Sequence, residues 1–334
     1  MTRWRWLALA WALSGCLDAP VPLAPLGGGA PTSSLAALDV FEAPAAAQIP
    51  AGEVVPYDVV APLWSDGARK RRFLWLPPGT RPAIEGDTWD LPVGSVLVKT
   101  FSFPIDERDP SLGERLIETR FLVRTASGYL ASTYLWNDAQ TDATAVGGEI
   151  GVPVHWIDAE GAAHDQIFHV PGTSRCHDCH QQRALGMRTS QLDVPGQLDR
   201  FVTMGLLAER PSSSERLVDP FDPGASLDDR ARSYLDANCG LCHAEGASAD
   251  GTQVFWDLAH TGAPEALPLC RPTASVDGRS RVLVPGDAQS SAMIARMRST
   301  DPFVHMPRGP SRLTDARGVT LVESWIDAME GGCP

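Results

Sequence analysis

Residues 114–138 read ERLIETRFLVRTASGYLASTYLWND. Side chains alternate across an extended chain, so Ile117, Thr119, Phe121 and Val123 fall on one face. Branched and aromatic residues suit a pleated, half-buried surface. The stretch TASGY, with Gly128, interrupts the pattern as a turn would. The reading is a β-hairpin. Working outward, KRRFLWLP (70–77), GSVLVKTFSFP (94–104) and VPVHWID (152–158) are runs of the same kind, separated by Pro and Gly. They predict a β-sandwich-like antiparallel domain over 52–170. No Ser-His-Asp order, Gly-rich phosphate loop or paired-carboxylate pattern stands out there. Asp138 and Asp142 lie close in WNDAQTDA, which reads as a solvated loop.

The C-terminal third changes period. SLDDRARSYLDANCGLCH starts on Ser226, a good N-cap, with Asp228 and Asp229 in the first turn. Ala231, Tyr234 and Leu235 would form its apolar face. PGDAQSSAMIARM suggests a middle helix capped near Ser290, with Met293 and Met297 packing inward. LTDARGVTLVESWIDAMEG reads as an amphipathic helix capped by Thr314 and ended by Gly331. Its apolar positions are Val319, Val322, Trp325, Ile326 and Met329. Between these two helices, HMPRGP places Met306 in a Pro- and Gly-bearing loop. The expected fold class is α+β multidomain: the β-sandwich-like domain, then over 226–334 an α-helical domain whose order of elements resembles a small cytochrome c domain and is expected to be cytochrome c-like.

The chain has 334 residues, 43% of them apolar, with a net charge of −13. Loss of Arg3 and Arg5 with residues 1–15 would make it −15. Phosphates need a basic face, so nucleic acid is not an expected partner. MTRWRWLALAWALSGC has two arginines, a short apolar run and small residues, the layout of an export signal. Leu13-Ser14-Gly15-Cys16 resembles a bacterial lipobox, whose cysteine is acylated and anchors the mature chain. Leu17 after it favours the outer membrane. Residues 16–51, rich in Ala, Pro, Gly and Ser, read as a flexible tether.

The seven cysteines sort by context. Cys16 is the expected lipid anchor. CHDCH spans 176–180 and CGLCH spans 239–243. Cys270 and Cys333 remain and are expected to pair in an oxidising compartment. In CxxCH, two thiols reach the two vinyl groups of one haem and the adjacent histidine binds its iron. The expected cofactors are thus two c-type haems. Cys176 and Cys179 would form thioethers to the first, with His180 on its iron. Cys239 and Cys242 would hold the second, with His243 and Met306 as its axial pair. A His/Met pair raises the potential relative to two nitrogens. Two rival readings are a zinc staple through CxxC…CxxC and a thioredoxin-like pair, but neither needs the repeated histidine. His177 is a filler within its motif.

The first haem-binding segment, 171–225, leaves 45 residues between His180 and Ser226 (181–225), short for a domain of its own. Its sixth ligand is not marked. Met187, Met204, His155, His164 and His169 are the nearest candidates. An open sixth position would suit a peroxidase- or oxidase-like enzyme, the alternative to simple electron transfer.

The runs VVPYDVVAPLWSDGARKRRFLWLPPGT, LPVGSVLVKTFSFP, RLIETRFLVR, LWNDAQTDA, VPGTSRCHDCH, RARSYLDANCGLCH and VLVPGD together resemble a family of exported bacterial dihaem c-type cytochromes. The resemblance covers most of the chain after residue 52. It implies two covalent haems and electron transfer with periplasmic or membrane redox partner proteins, and it implies no substrate. The residues it carries over are Cys176, Cys179, His180, Cys239, Cys242, His243 and Met306.

Overall fold

A computed structural model describes residues 33–172, 184–243, 258, 267–308 and 311–333. Strands β1 (Val55–Tyr57), β2 (Arg69–Trp75), β3 (Ala83–Glu85), β4 (Thr88–Asp90) and β5 (Val96–Pro104) come first. Then follow β6 (Glu114–Thr125), β7 (Gly128–Trp136), β8 (Ala143–Val146), β9 (Ile150–Ile157) and β10 (Ala163–Val170). Six of them form one antiparallel sheet in the order β1-β2-β5-β6-β7-β8. The quoted hairpin is β6–β7, with Thr125 opposite Gly128.

The sheet alternates as the sequence suggested, with one break. Phe121 and Val123 join Phe73, Trp75, Val96, Val98, Tyr134 and Trp136 on one face. Glu118 faces Phe101 but Leu116 faces Ser102, so Ile117 is the extra residue of a β-bulge. It packs with Phe101 and Phe103 instead of sharing the Phe121 face.

Both faces of the sheet are covered, each differently. The first cover is the segment expected to be a tether. Leu35, Leu38, Val40, Phe41, Ala45 and Val54 are buried against the Phe121 face, so 33–51 is a packed layer. At about 25 cal/mol per Å2 of apolar area, this burial outweighs the freedom of a linker. The opposite face is shared. At one end lie α1 (Thr189–Leu192) and α2 (Gln197–Thr203), whose Leu192, Leu198 and Phe201 pack on Leu74, Leu97 and Trp89. At the other end the β9–β10 ribbon packs Val154, Trp156, Phe168 and Val170 on Phe101 and Phe103. The second layer is a ribbon plus helices, not the second sheet of a sandwich, and part of 171–225 belongs to the β body.

The expected α-helical cytochrome c-like domain is not formed. The described residues are 31% strand and 21% helix, dominated by the antiparallel sheet. In 226–334 the described α-helices are α3 (Leu227–Leu235), α4 (Ala292–Arg298) and α5 (Ala316–Asp327), of nine, seven and twelve residues. A two-stranded ribbon, β11 (Pro272–Val276) with β12 (Arg279–Arg281), stands between α3 and α4 in the chain. Tyr234, Leu235, Leu283, Ile294, Val322, Trp325 and Ile326 close a small mixed core. The periodicity was local: each apolar stripe is present, but the helices are too short and too interrupted to build the expected bundle. Asp315, not Thr314, caps α5 by accepting from Gly318 N–H at 2.9 Å. That helix ends at Asp327, ahead of Gly331. Ser291 precedes α4 without a side-chain cap, while Ser290 N–H is held by Asp287.

Candidate functional site

α3 begins as expected, with Ser226 Oγ accepting from Asp229 N–H at 3.1 Å. The chain continues past Leu235 in a wider turn over Asp236–Gly240. Cys242 and His243 both donate their N–H groups to Cys239 carbonyl oxygen, at 3.0 and 2.8 Å. One helical turn therefore carries all three side chains. Cys239 and Cys242 are both free thiols, half-buried. Burial pushes the Cys239 thiol up to about 12, and neighbouring Cys242 and Asp236 add to it.

Several polar contacts hold this turn. Asn238 is buried; its Oδ1 accepts from Trp64 N–H at 2.7 Å and its Nδ2 donates to Tyr234 O at 2.9 Å. Asp236 is buried and paired with the Arg188 guanidinium, which also faces Glu215 at 3.7 Å and Asp87 at 3.8 Å. Tyr234 OH donates to Asp315 Oδ2 at 3.1 Å, and Trp325 Nε1 donates to Asp228 Oδ1 at 2.7 Å, locking α3 to α5.

The loop with Met306 leaves α4 and is pinned at both ends. Met306 N–H donates to Arg296 O at 3.0 Å and His305 N–H to Asp301 O at 2.7 Å. His305 is buried, with Nδ1 2.7 Å from Ser299 O, whereas Met306 is half-buried. Past Met306, the buried Asp66 carboxylate accepts from Arg312 N–H and Leu313 N–H at 2.9 and 2.8 Å, and from Ser311 Oγ at 2.9 Å. Trp64 Nε1 donates to Leu313 O at 3.1 Å. The loop 64–67 thus grips both the Cys239 turn and the segment after Met306. Gly67 in it has φ +83° and lies against the Trp156 ring, where a side chain would collide.

Comparison with protein-family models, with curated proteins and with solved structures finds no match.

Of the residues singled out in the sequence, Cys16, Cys176, Cys179 and His180 lie outside the described residues. Cys239, Cys242 and His243 share one turn, and Met306 stands on the separately anchored loop. Cys270 and Cys333 are joined by a disulfide. Of the spare-ligand candidates, the three histidines pair with carboxylates. His155 pairs with Asp165 at 2.9 Å, His164 with Asp158 at 2.7 Å and His169 with Glu149 at 3.3 Å. Met187 is buried in the sheet–helix core and Met204 is exposed. Asp142 accepts from Ala36 and Ala143 N–H groups, and exposed Asp138 pairs with Arg115. Trp64, Asp66, Asn238 and Arg188 were missed. The Asp-Gly pair of WSDG and the Asn directly before Cys239 were their only sequence signals.

Attachment to a macrocycle spreads two thiols over one edge and sends a histidine to its centre. Cys239, Cys242 and His243, carried on one helical turn, are residues of those types in that order.

Proposed function

We propose that this chain is an exported, lipid-anchored one-electron carrier that holds two c-type haems covalently. The observation that carries the reading is the Cys239 turn. Cys239, Cys242 and His243 stand together on it, with the N–H groups of Cys242 and His243 both held by the Cys239 carbonyl oxygen. Cys239 and Cys242 would hold the haem through thioethers, and His243, next along the turn, and Met306 would be the residues that bind its iron. Bound iron supplies reversible one-electron transfer, its potential set by axial ligands and burial. The chain's own work is positioning. α3 and α5 hold the thiol turn from one side, and Trp64, Asp66 and Asn238 tie it to the Met306 loop. The β body is in this reading part of the haem support.

Cys176, Cys179 and His180 repeat the same residue types for a first haem. Cys16 carries the lipid, and the partners are periplasmic or membrane redox proteins. Among the described residues no helix is long and apolar enough to cross a membrane, and the anchor proposed here needs none.

The test is expression of the full chain in a host that matures c-type cytochromes. Denatured protein should keep two haems by mass and absorbance, and Cys239→Ala/Cys242→Ala should keep one. Protein that is colourless, or that binds zinc in place of iron, overturns the reading.

A further inference from the structure

Phe303 stands on the loop that leaves α4 and is 82% exposed, more than any other large hydrophobic side chain among the described residues. The loop fixes it there. Its N–H donates to Asp301 Oδ1 at 2.9 Å, and the N–H groups of Val304 and His305 donate to Asp301 O at 2.9 and 2.7 Å. Its own carbonyl oxygen accepts from Arg308 Nη2 at 2.8 Å. A ring presented on a turn held at both ends gives up little backbone freedom when a partner closes over it.

The charge around this ring runs against that of the chain. Residues 271–312 hold seven arginines and three aspartates, a net +4, with no lysine or glutamate. The whole chain carries −13, so the rest of it carries −17. Within the stretch, Arg298 pairs with Glu323 and Arg312 with Glu149. Arg296 and Arg308 instead reach backbone carbonyls of the Phe303 loop, Val304 O and Phe303 O, and neither pairs with a carboxylate among the described residues. Burial, and then the neighbouring Arg308 guanidinium, hold Arg296 below its usual range, so the two cations stand near one another. The loop's own carboxylate, Asp301, is turned to the Phe303 N–H.

Aromatic rings and arginines are the residues enriched in the cores of protein–protein interfaces. A bilayer surface takes in several apolar side chains together. Over residues 299–308 Phe303 is the one exposed large hydrophobic.

We infer that Phe303, with Arg296 and Arg308, is the docking point for a protein that presents an apolar pocket rimmed by carboxylates. The ring fills the pocket and the two guanidiniums meet the rim. The −17 on the rest of the chain repels such an acidic partner and steers it to this loop. The surface requires no haem and goes beyond the electron-transfer reading.

The experiment uses the full chain with Cys16→Ser, so that no acyl group binds vesicles, and a fluorescent random copolymer of glutamate and tyrosine as the acidic probe. Phe303→Ala, Arg308→Gln and the charge-keeping Arg308→Lys are added singly. Phe303 and Arg308 are exposed, so all three variants should keep the parent's thermal midpoint. Anisotropy should show the copolymer binding the parent, and less tightly as salt is raised. Phe303→Ala should bind it at least about tenfold more weakly. Arg308→Gln should weaken binding and flatten the salt dependence, and Arg308→Lys should restore both. No binding to the parent, or equal affinity in the parent and Phe303→Ala, overturns the inference. So does binding to anionic phospholipid vesicles that depends on Phe303 when binding to the copolymer does not, which would assign the loop to a lipid surface. Colourless protein would defeat the haem reading and leave this measurement intact.

Discussion

Trp64 N–H donates to Asn238 Oδ1 at 2.7 Å, joining the loop that enters β2 to the residue before Cys239. The two are 174 positions apart in sequence. Asn238 is 4% exposed, so neither this bond nor its second, to Tyr234 O, is replaced readily by water. Asn238→Ala should cost about 1–3 kcal/mol, the penalty for stranding a buried donor. Urea unfolding of the parent and variant checks this; an unchanged midpoint would mean that the tie contributes nothing.

Gly318 lies in the first turn of α5 against the Tyr234 ring. A methyl group there would overlap the ring outright and push α5 away from α3. Gly318→Ala should lose about 1–3 kcal/mol through overpacking, and more if Tyr234 also loses Asp315. If Cys239 and Cys242 hold haem as proposed, the same variant should lower the yield of haem attached there. Stability and haem content equal to the parent's would show that the two helices move apart freely.

Asp142 anchors the layer formed by 33–51. Burial acts to raise its pKa, but bonds from Ser34 Oγ and the N–H groups of Ala36, Ala143 and Leu35 outweigh it, so the carboxyl sits below its usual range. A carboxyl depressed by folding stabilises above its unfolded pKa of about 4, and the contribution fades as pH falls through the lower folded value. The protection factor of the Ala36 amide, the exchange rate of an unstructured amide at the same pH divided by its own, should therefore fall on acidification below about pH 4. Asp142→Asn should weaken protection at neutral pH and flatten that dependence. Identical pH profiles for the two proteins would remove Asp142 as the anchor.

The Cys270–Cys333 disulfide ties the residue two before β11 to the tail after α5, across a separation of 63 residues. On the chain-entropy account a loop of this length is worth about 4 kcal/mol. Reduction, or Cys270→Ser/Cys333→Ser, should lower stability by roughly 2–4 kcal/mol without altering the Cys239 turn. Reductant-independent unfolding would show that the bond does not constrain the denatured chain.

Much of the local structure was legible in the residues themselves. The β6–β7 hairpin follows from alternation and a turn, and Ser226 caps α3 because its hydroxyl reaches an N–H three residues away. Val319, Val322, Trp325 and Ile326 are buried as their spacing requires. What spacing could not convey was how far each stripe extends and what covers it. A short apolar stripe is the same in a cytochrome bundle and in a helix packed beside a β-ribbon, so the expected helical domain did not follow from it. Ile117 changed faces because one bulge, set by its neighbour strand, shifted the register.

Sequence alone determined the paired cysteines with their histidine, the leftover cysteines and the four central strands of the sheet, β2, β5, β6 and β7. These depend on residue identity and on neighbours a few positions away. Tertiary structure alone decided that 33–51 is a packed layer, and that Asp66 and Trp64 grip the Cys239 turn and the Met306 loop. Each of those joins groups tens to hundreds of positions apart, and only strand register and the closing of the core bring such groups within hydrogen-bonding or Coulombic reach.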